Sequence, residues 1–103
     1  MTVEGSSLLE IKDLARRVRI DVLNMVAKAN SGHPGGSLSE TDILAVLYGK
    51  VMKHDPSKPN WVDRDRFILS KAHACPGLYA VLAETGYFEI QELDTFRQID
   101  SRI

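Results

Sequence analysis

The chain has 103 residues, enough for one small domain and too few for two. Apolar residues make up 44% and charged residues 26%, and the net charge is −1, so no basic field calls for nucleic acid or an anionic membrane. A single cysteine, Cys75, excludes an internal disulfide framework and fits a reducing compartment. The lead MTVEGSSLLEIK lacks the basic-then-apolar pattern of a signal peptide. The densest apolar run, Ile43 to Tyr48, falls far short of the roughly 20 residues that span a bilayer. The expectation is a soluble, cytoplasmic domain.

Helical periodicity predicts a first helix over residues 7–30. Leu8, Ile11, Leu14, Ala15, Val18, Val22, Met25, Val26 and Ala29 fall in one arc and form its core face. Leu9, Ile20, Leu23 and Ala27 make a second apolar patch, interrupted only by Arg16, which predicts a partner on that side. A turn, SGHPGGS, follows at residues 31–37, with Gly32 suited to the left-handed position that ends a helix. A second helix is predicted over 38–53, with capping-box spacing between Ser37 and Glu40. Glu40 and Asp42 then fall in its first turn, and Lys50 and Lys53 in its last, each complementing the macrodipole.

The stretch HDPSKPNWVDRD reads as an ordered loop anchored by Trp61, with Asp63, Arg64, Asp65 and Arg66 forming ion pairs. Residues 66–70, RFILS, have the length and apolar centre of a buried strand. Helix returns over 74–85, with Pro76 in its first turn and Gly86 as its stop, and a short last helix over 89–98 faces the core with Ile90, Leu93 and Phe96. The fold class expected is α/β, mostly helical, with one evident strand. A lone buried strand leaves its N–H and C=O groups unpaired. That points to a domain truncated at its C-terminus, whose neighbouring strands lie outside this sequence.

Two histidines sit where chemistry is plausible. Pro34 biases His33 toward extended backbone and projects its ring from the turn, while Gly35 and Gly36 let a ligand approach a helix N-terminus closely. A solvated histidine in a plain helix–turn–helix linker is the alternative. His73 follows the predicted strand and precedes a helix, where ligands bind in open α/β sheets; its alternative is a ring bonded to local backbone. Cys75 reads as a small packed side chain, and His54 as a dipole partner at a helix C-terminus. Three histidines without clustered carboxylates or thiols make no zinc site, and no metal ligands are assigned.

The segments SGHPGG, ILAVLY, HDPSKPNWVDRDRFILSKAHA, ETGYF and FRQI, taken in order, resemble the amino-terminal region of transketolases. The resemblance spans roughly Leu14 to Ile99 and is greatest to the small amino-terminal subunit of split transketolases. Deoxyxylulose phosphate synthase and related enzymes share some of these features. The resemblance implies a partial thiamine-diphosphate (diphosphate-binding) domain over residues 1–103, the first part of an enzyme that transfers a two-carbon ketol unit between sugar phosphates. It also implies thiamine diphosphate and Mg²⁺ as cofactors, the metal's ligands lying outside this chain. The implied partner is a pyrimidine-binding domain or subunit, in a homo- or hetero-oligomer. His33 takes the role of the catalytic histidine of the Ser-Gly-His-Pro-Gly motif, and His73 that of the cofactor-binding histidine near the diphosphate.

Two positions depart from the family pattern. Ala72 stands where glycine is usual and threatens to crowd the turn before His73, and Asp100 replaces a small residue. The Gly-Asp-Gly…Asn segment, the downstream glycine-rich loop and the activating glutamate are absent, so the chain alone is expected to be inactive. A non-catalytic helical module, binding a partner through the second face of the first helix, is the competing reading.

Overall fold

The structure, a computed structural model, describes residues 5–103; residues 1–4, the start of the lead read above, lie outside the described residues. Helix α1 spans Gly5–Ala29. Ile11, Leu14, Ala15, Val18, Val22 and Met25 are buried along it, as helical periodicity requires. Leu8, assigned to the same arc, is exposed, and so are Leu9, Ile20 and Leu23 of the second patch. The helix ends in a Schellman motif centred on Asn30, at φ 49°. Asn30 N–H donates to Ala27 O and Ser31 N–H to Val26 O. Gly32, expected to end the helix, instead uses its φ of +105° to shape the turn that follows.

Helix α2 runs Pro34–Val46, four residues earlier than the capping-box spacing predicts. Proline suits the first helical position, where its missing N–H costs nothing. His33 is therefore the N-cap, and Ser37 and Glu40 lie inside the helix as buried residues rather than as a cap. The first turn of α2 holds no acid. A π-helical turn, Leu47–Val51, continues it, with Lys50 in its last turn and Lys53 beyond it.

The expected strand over 66–70 does not form among the described residues. Ile68 is 85% exposed, and no described segment runs alongside to pair with this backbone. Of the expected α/β class, only the helical part is seen. Trp61, 39% exposed, is no anchor either. Asp65 fastens the loop instead: its Oδ2 accepts Lys53 N–H at 2.7 Å, and its own N–H donates to Lys53 O at 2.7 Å. The expected ion pairs within 63–66 are replaced by arginine–carbonyl bonds, with Arg64 donating to Trp61 O and Arg66 to Val62 O.

A 3₁₀ turn, Ala72–Ala74, leads into helix α3, Cys75–Glu84. A second Schellman motif closes α3, with Gly86 at φ +100° and Tyr87 N–H donating to Leu82 O at 2.9 Å. The last element, Ile90–Thr95, is 3₁₀ rather than α. Leu93 and Phe96 face the core as expected, while Ile90 is exposed. The three helices pack on one another around Val18, Val22, Leu44, Ala45, Ala80, Val81 and Phe96. Cys75 packs against this core as a free thiol.

His54 does more than complement a helix end. Its Nε2 lies 2.6 Å from Tyr48 O and its Nδ1 2.6 Å from Tyr87 Oη. Because the carbonyl only accepts, Nε2 carries a proton that it donates to Tyr48 O. The ring thus ties the end of the second helix to the turn after α3, stacked on Tyr87.

Candidate functional site

Pro34 steers His33 to extended backbone, at φ −120° and ψ 117°, and the residue is exposed at the start of α2 with no side-chain capping bond. The turn before it is held from behind. A methyl on Gly32 would stand 3.8 Å from the Phe96 ring, and Arg97 donates to Ser31 Oγ at 2.7 Å. Gly35 faces open space within 4 Å of its missing Cβ. The amides of the first helical turn have no intrahelical acceptor, so this end offers unfilled N–H donors and a positive dipole.

His73 is exposed within the 3₁₀ turn that opens α3. Ala72 is exposed beside it and does not adopt a left-handed conformation, so its methyl is accommodated where glycine was expected. Asp100, the other departure, does adopt one, at φ 68°, which aspartate tolerates.

Ser37 joins the two turns. Fully buried, it donates its hydroxyl to Ala74 O at 3.0 Å and accepts Gly77 N–H at 3.0 Å. Gly36 lies close enough to Ala74 that an added Cβ would sit 3.4 Å from the alanine methyl. Thr41 Oγ1, one turn along α2, donates to Ser37 O at 2.8 Å and is buried too. The starts of α2 and α3 are therefore bonded side by side, and the histidine-bearing turns flank one junction.

Sequence reasoning missed three charged groups. Glu40 was read as a cap, yet it is buried beneath the His73 turn, and burial pushes its carboxyl above the usual range against the opposing charge of Lys71. Lys71 sits over it, with Nζ 3.9 Å from Oε1. Farther off, the Asp21 carboxyl lies close enough to that of Glu84 for the two charges to interact, and Arg17 donates to Glu84. A glutamate in the mostly apolar run LSETDILAVLYGKVM was the available signal for Glu40. Asp21 and Glu84 are too far apart in the chain to announce themselves.

The junction combines two imidazoles, an ammonium and an open helix N-terminus. Among the described residues, no group of three or more His, Cys, Asp or Glu side chains is placed to hold a metal ion. A cavity of about 230 Å³ lies away from both histidines, lined in part by Glu10, Arg17, Lys50 and Glu84. No described helix is long and apolar enough to cross a membrane.

Residues 11–103 match the family model described as transketolase, thiamine diphosphate binding domain. The chain belongs to this family. It is 49% identical over 92 residues to transketolase 2 of Escherichia coli (strain K12), covering 88% of this chain and 14% of that protein. It is 46% identical over 90 residues to the 6-deoxy-6-sulfo-D-fructose transketolase subunit SqwG of Clostridium sp. (strain MSTE9), covering 87% of this chain and 33% of that subunit. Transketolase of Treponema pallidum (strain Nichols) is 40% identical over 93 residues, again with 14% of its length covered. The chain thus spans a seventh to a third of the length of these relatives.

Proposed function

We propose that residues 1–103 are part of the diphosphate-binding domain of a transketolase that transfers a two-carbon ketol unit from a ketose phosphate to an aldose phosphate. The observation that carries this reading is the Ser37 bridge, which brings the His33 and His73 turns to one junction. When bound, thiamine diphosphate would supply the nucleophilic carbon centre that ketol transfer requires.

The chain's own residues fit the anionic end of that cofactor. The unfilled amides at the start of α2 and the His73 ring would hold the diphosphate oxygens, and Gly35 would leave the space for them. His33 touches substrate oxygens and takes or returns their protons, a role its exposure and extended backbone permit. Mg²⁺ belongs to the proposal, but the described residues offer no donor cluster for it. No step is assigned to it. Residues 66–70 become one strand of a parallel sheet completed by sequence outside this chain, and a pyrimidine-binding domain or subunit covers the cofactor's other end. The expected compartment is the cytoplasm.

Calorimetric titration of the chain with thiamine diphosphate and Mg²⁺ should give only weak binding. Micromolar affinity would contradict a partial site. In the complete assembly, His33→Ala should lower turnover about 10²–10⁴-fold with ketose and aldose phosphates. An unchanged rate would remove His33 from the chemistry.

A further inference from the structure

Glu40 is 7% exposed, and neither of its carboxylate oxygens has a hydrogen-bond partner among the described residues. Its seat is made by Gly77: a Cβ on that glycine would stand 2.8 Å from Oε2. The other oxygen lies 3.9 Å from the ammonium of Lys71, whose side chain is 56% exposed. A buried carboxylate without donors is costly, and an ammonium drawn back over it offsets that cost. Lys71 pays for this in rotamer freedom, so the attraction has to outweigh the ordering of a long side chain.

What Lys71 holds is the start of the His73 turn. Its carbonyl accepts Ala74 N–H at 2.9 Å, and the next carbonyl, of Ala72, accepts Cys75 N–H. Ser37 and Glu40, one helical turn apart on the same face of α2, thus meet the two ends of this segment: Ser37 at Ala74 and Gly77, Glu40 at Lys71. We propose that Glu40 is a positioning residue, gripping Lys71 from inside and so fixing the turn that presents His73. Its functional consequence rests on the reading of His73 given above; the grip itself does not.

Amide exchange in the full chain, followed by NMR at neutral pH, tests it. Ala74 and Cys75 report opening of the turn, and Leu44 and Val81 report the core. Glu40→Gln should speed exchange at Ala74 and Cys75 about 3–10-fold, while the melting temperature holds or rises because a buried charge is gone. Lys71→Met should give the same acceleration, and the double variant no more. Glu40→Met refills the space without the charge, leaves Gly77 and its contact with Ser37 untouched, and should leave exchange fast. Wild-type exchange in Glu40→Gln or in Lys71→Met, or recovery in the refilled variant, would overturn the proposal. Should Glu40→Gln fail to fold, the exposed Lys71→Met carries the test alone. Failure of thiamine diphosphate to bind the assembly would strike the functional reading and leave these rates as they are.

Discussion

Replacing Asp21 with asparagine should stabilise the fold, and more so as pH rises. Asp21 lies on the face of α1 toward Glu84, whose side chain is only 5% exposed, and one of its own oxygens is fully buried. Burial first, then Glu84, pushes the Asp21 carboxyl from 3.8 up to about 8, while Arg17 pulls it back. The folded chain therefore keeps a proton that the unfolded chain releases above about pH 4, and stability is lost as pH rises through that window toward 8. A shift of that size sets a ceiling of about 6 kcal/mol at roughly 1.4 kcal/mol per pKa unit. The group is half-buried and Arg17 stands beside it, so screening reduces the effect to about 1–2 kcal/mol. Asparagine keeps the shape, stays neutral and donates a hydrogen bond to Glu84. Thermal melts of both proteins from about pH 4 to pH 9 should draw together at the acid end. At the alkaline end they should diverge by about 5–15 °C, given roughly 4–8 °C per kcal/mol for a domain of this size. A variant that melts lower than the wild type at pH 9, or a constant gap across the range, would refute the account of a proton retained on Asp21.

Other substitutions test the joints described above. Ser37→Ala strands the buried Gly77 N–H, and urea titration should show a loss of about 1–3 kcal/mol. His54→Phe keeps the stacking on Tyr87 but breaks both ring bonds, with a similar loss and faster amide exchange at Tyr87. Gly86→Ala forces a side chain into φ +100° and should cost about 1–2 kcal/mol in the same denaturation assay.

Much of this molecule was readable in its residues. The stripe Ile11, Leu14, Val18, Val22, Met25 declared α1, and Gly86 declared the end of α3, because both rest on local periodicity and backbone freedom. The start of α2 was misplaced because Pro34-Gly-Gly reads as a turn, whereas proline at a first helical position lets the helix begin there. RFILS was read as a strand because a short apolar run carries no information about its partner; without one among the described residues it forms no regular element. The His33 turn was legible from its glycines and proline, whereas the His73 turn was placed by a helix start and by a strand that does not form among the described residues. The bridge between them was not, because Ser37 finds Ala74 and Gly77 only through the packing of two helices. Glu40 eluded the reading for the same reason, its seat being defined by a glycine in another helix.

The most direct test of the central claim follows the imidazole resonances of all three histidines as thiamine diphosphate and Mg²⁺ are added to the chain. The account predicts that His33 and His73 move together, with a weak, saturating dependence in the millimolar range, while His54, locked between Tyr48 and Tyr87, stays in place. Movement of neither His33 nor His73, or of one without the other, would contradict a shared cofactor face at the junction of α2 and α3.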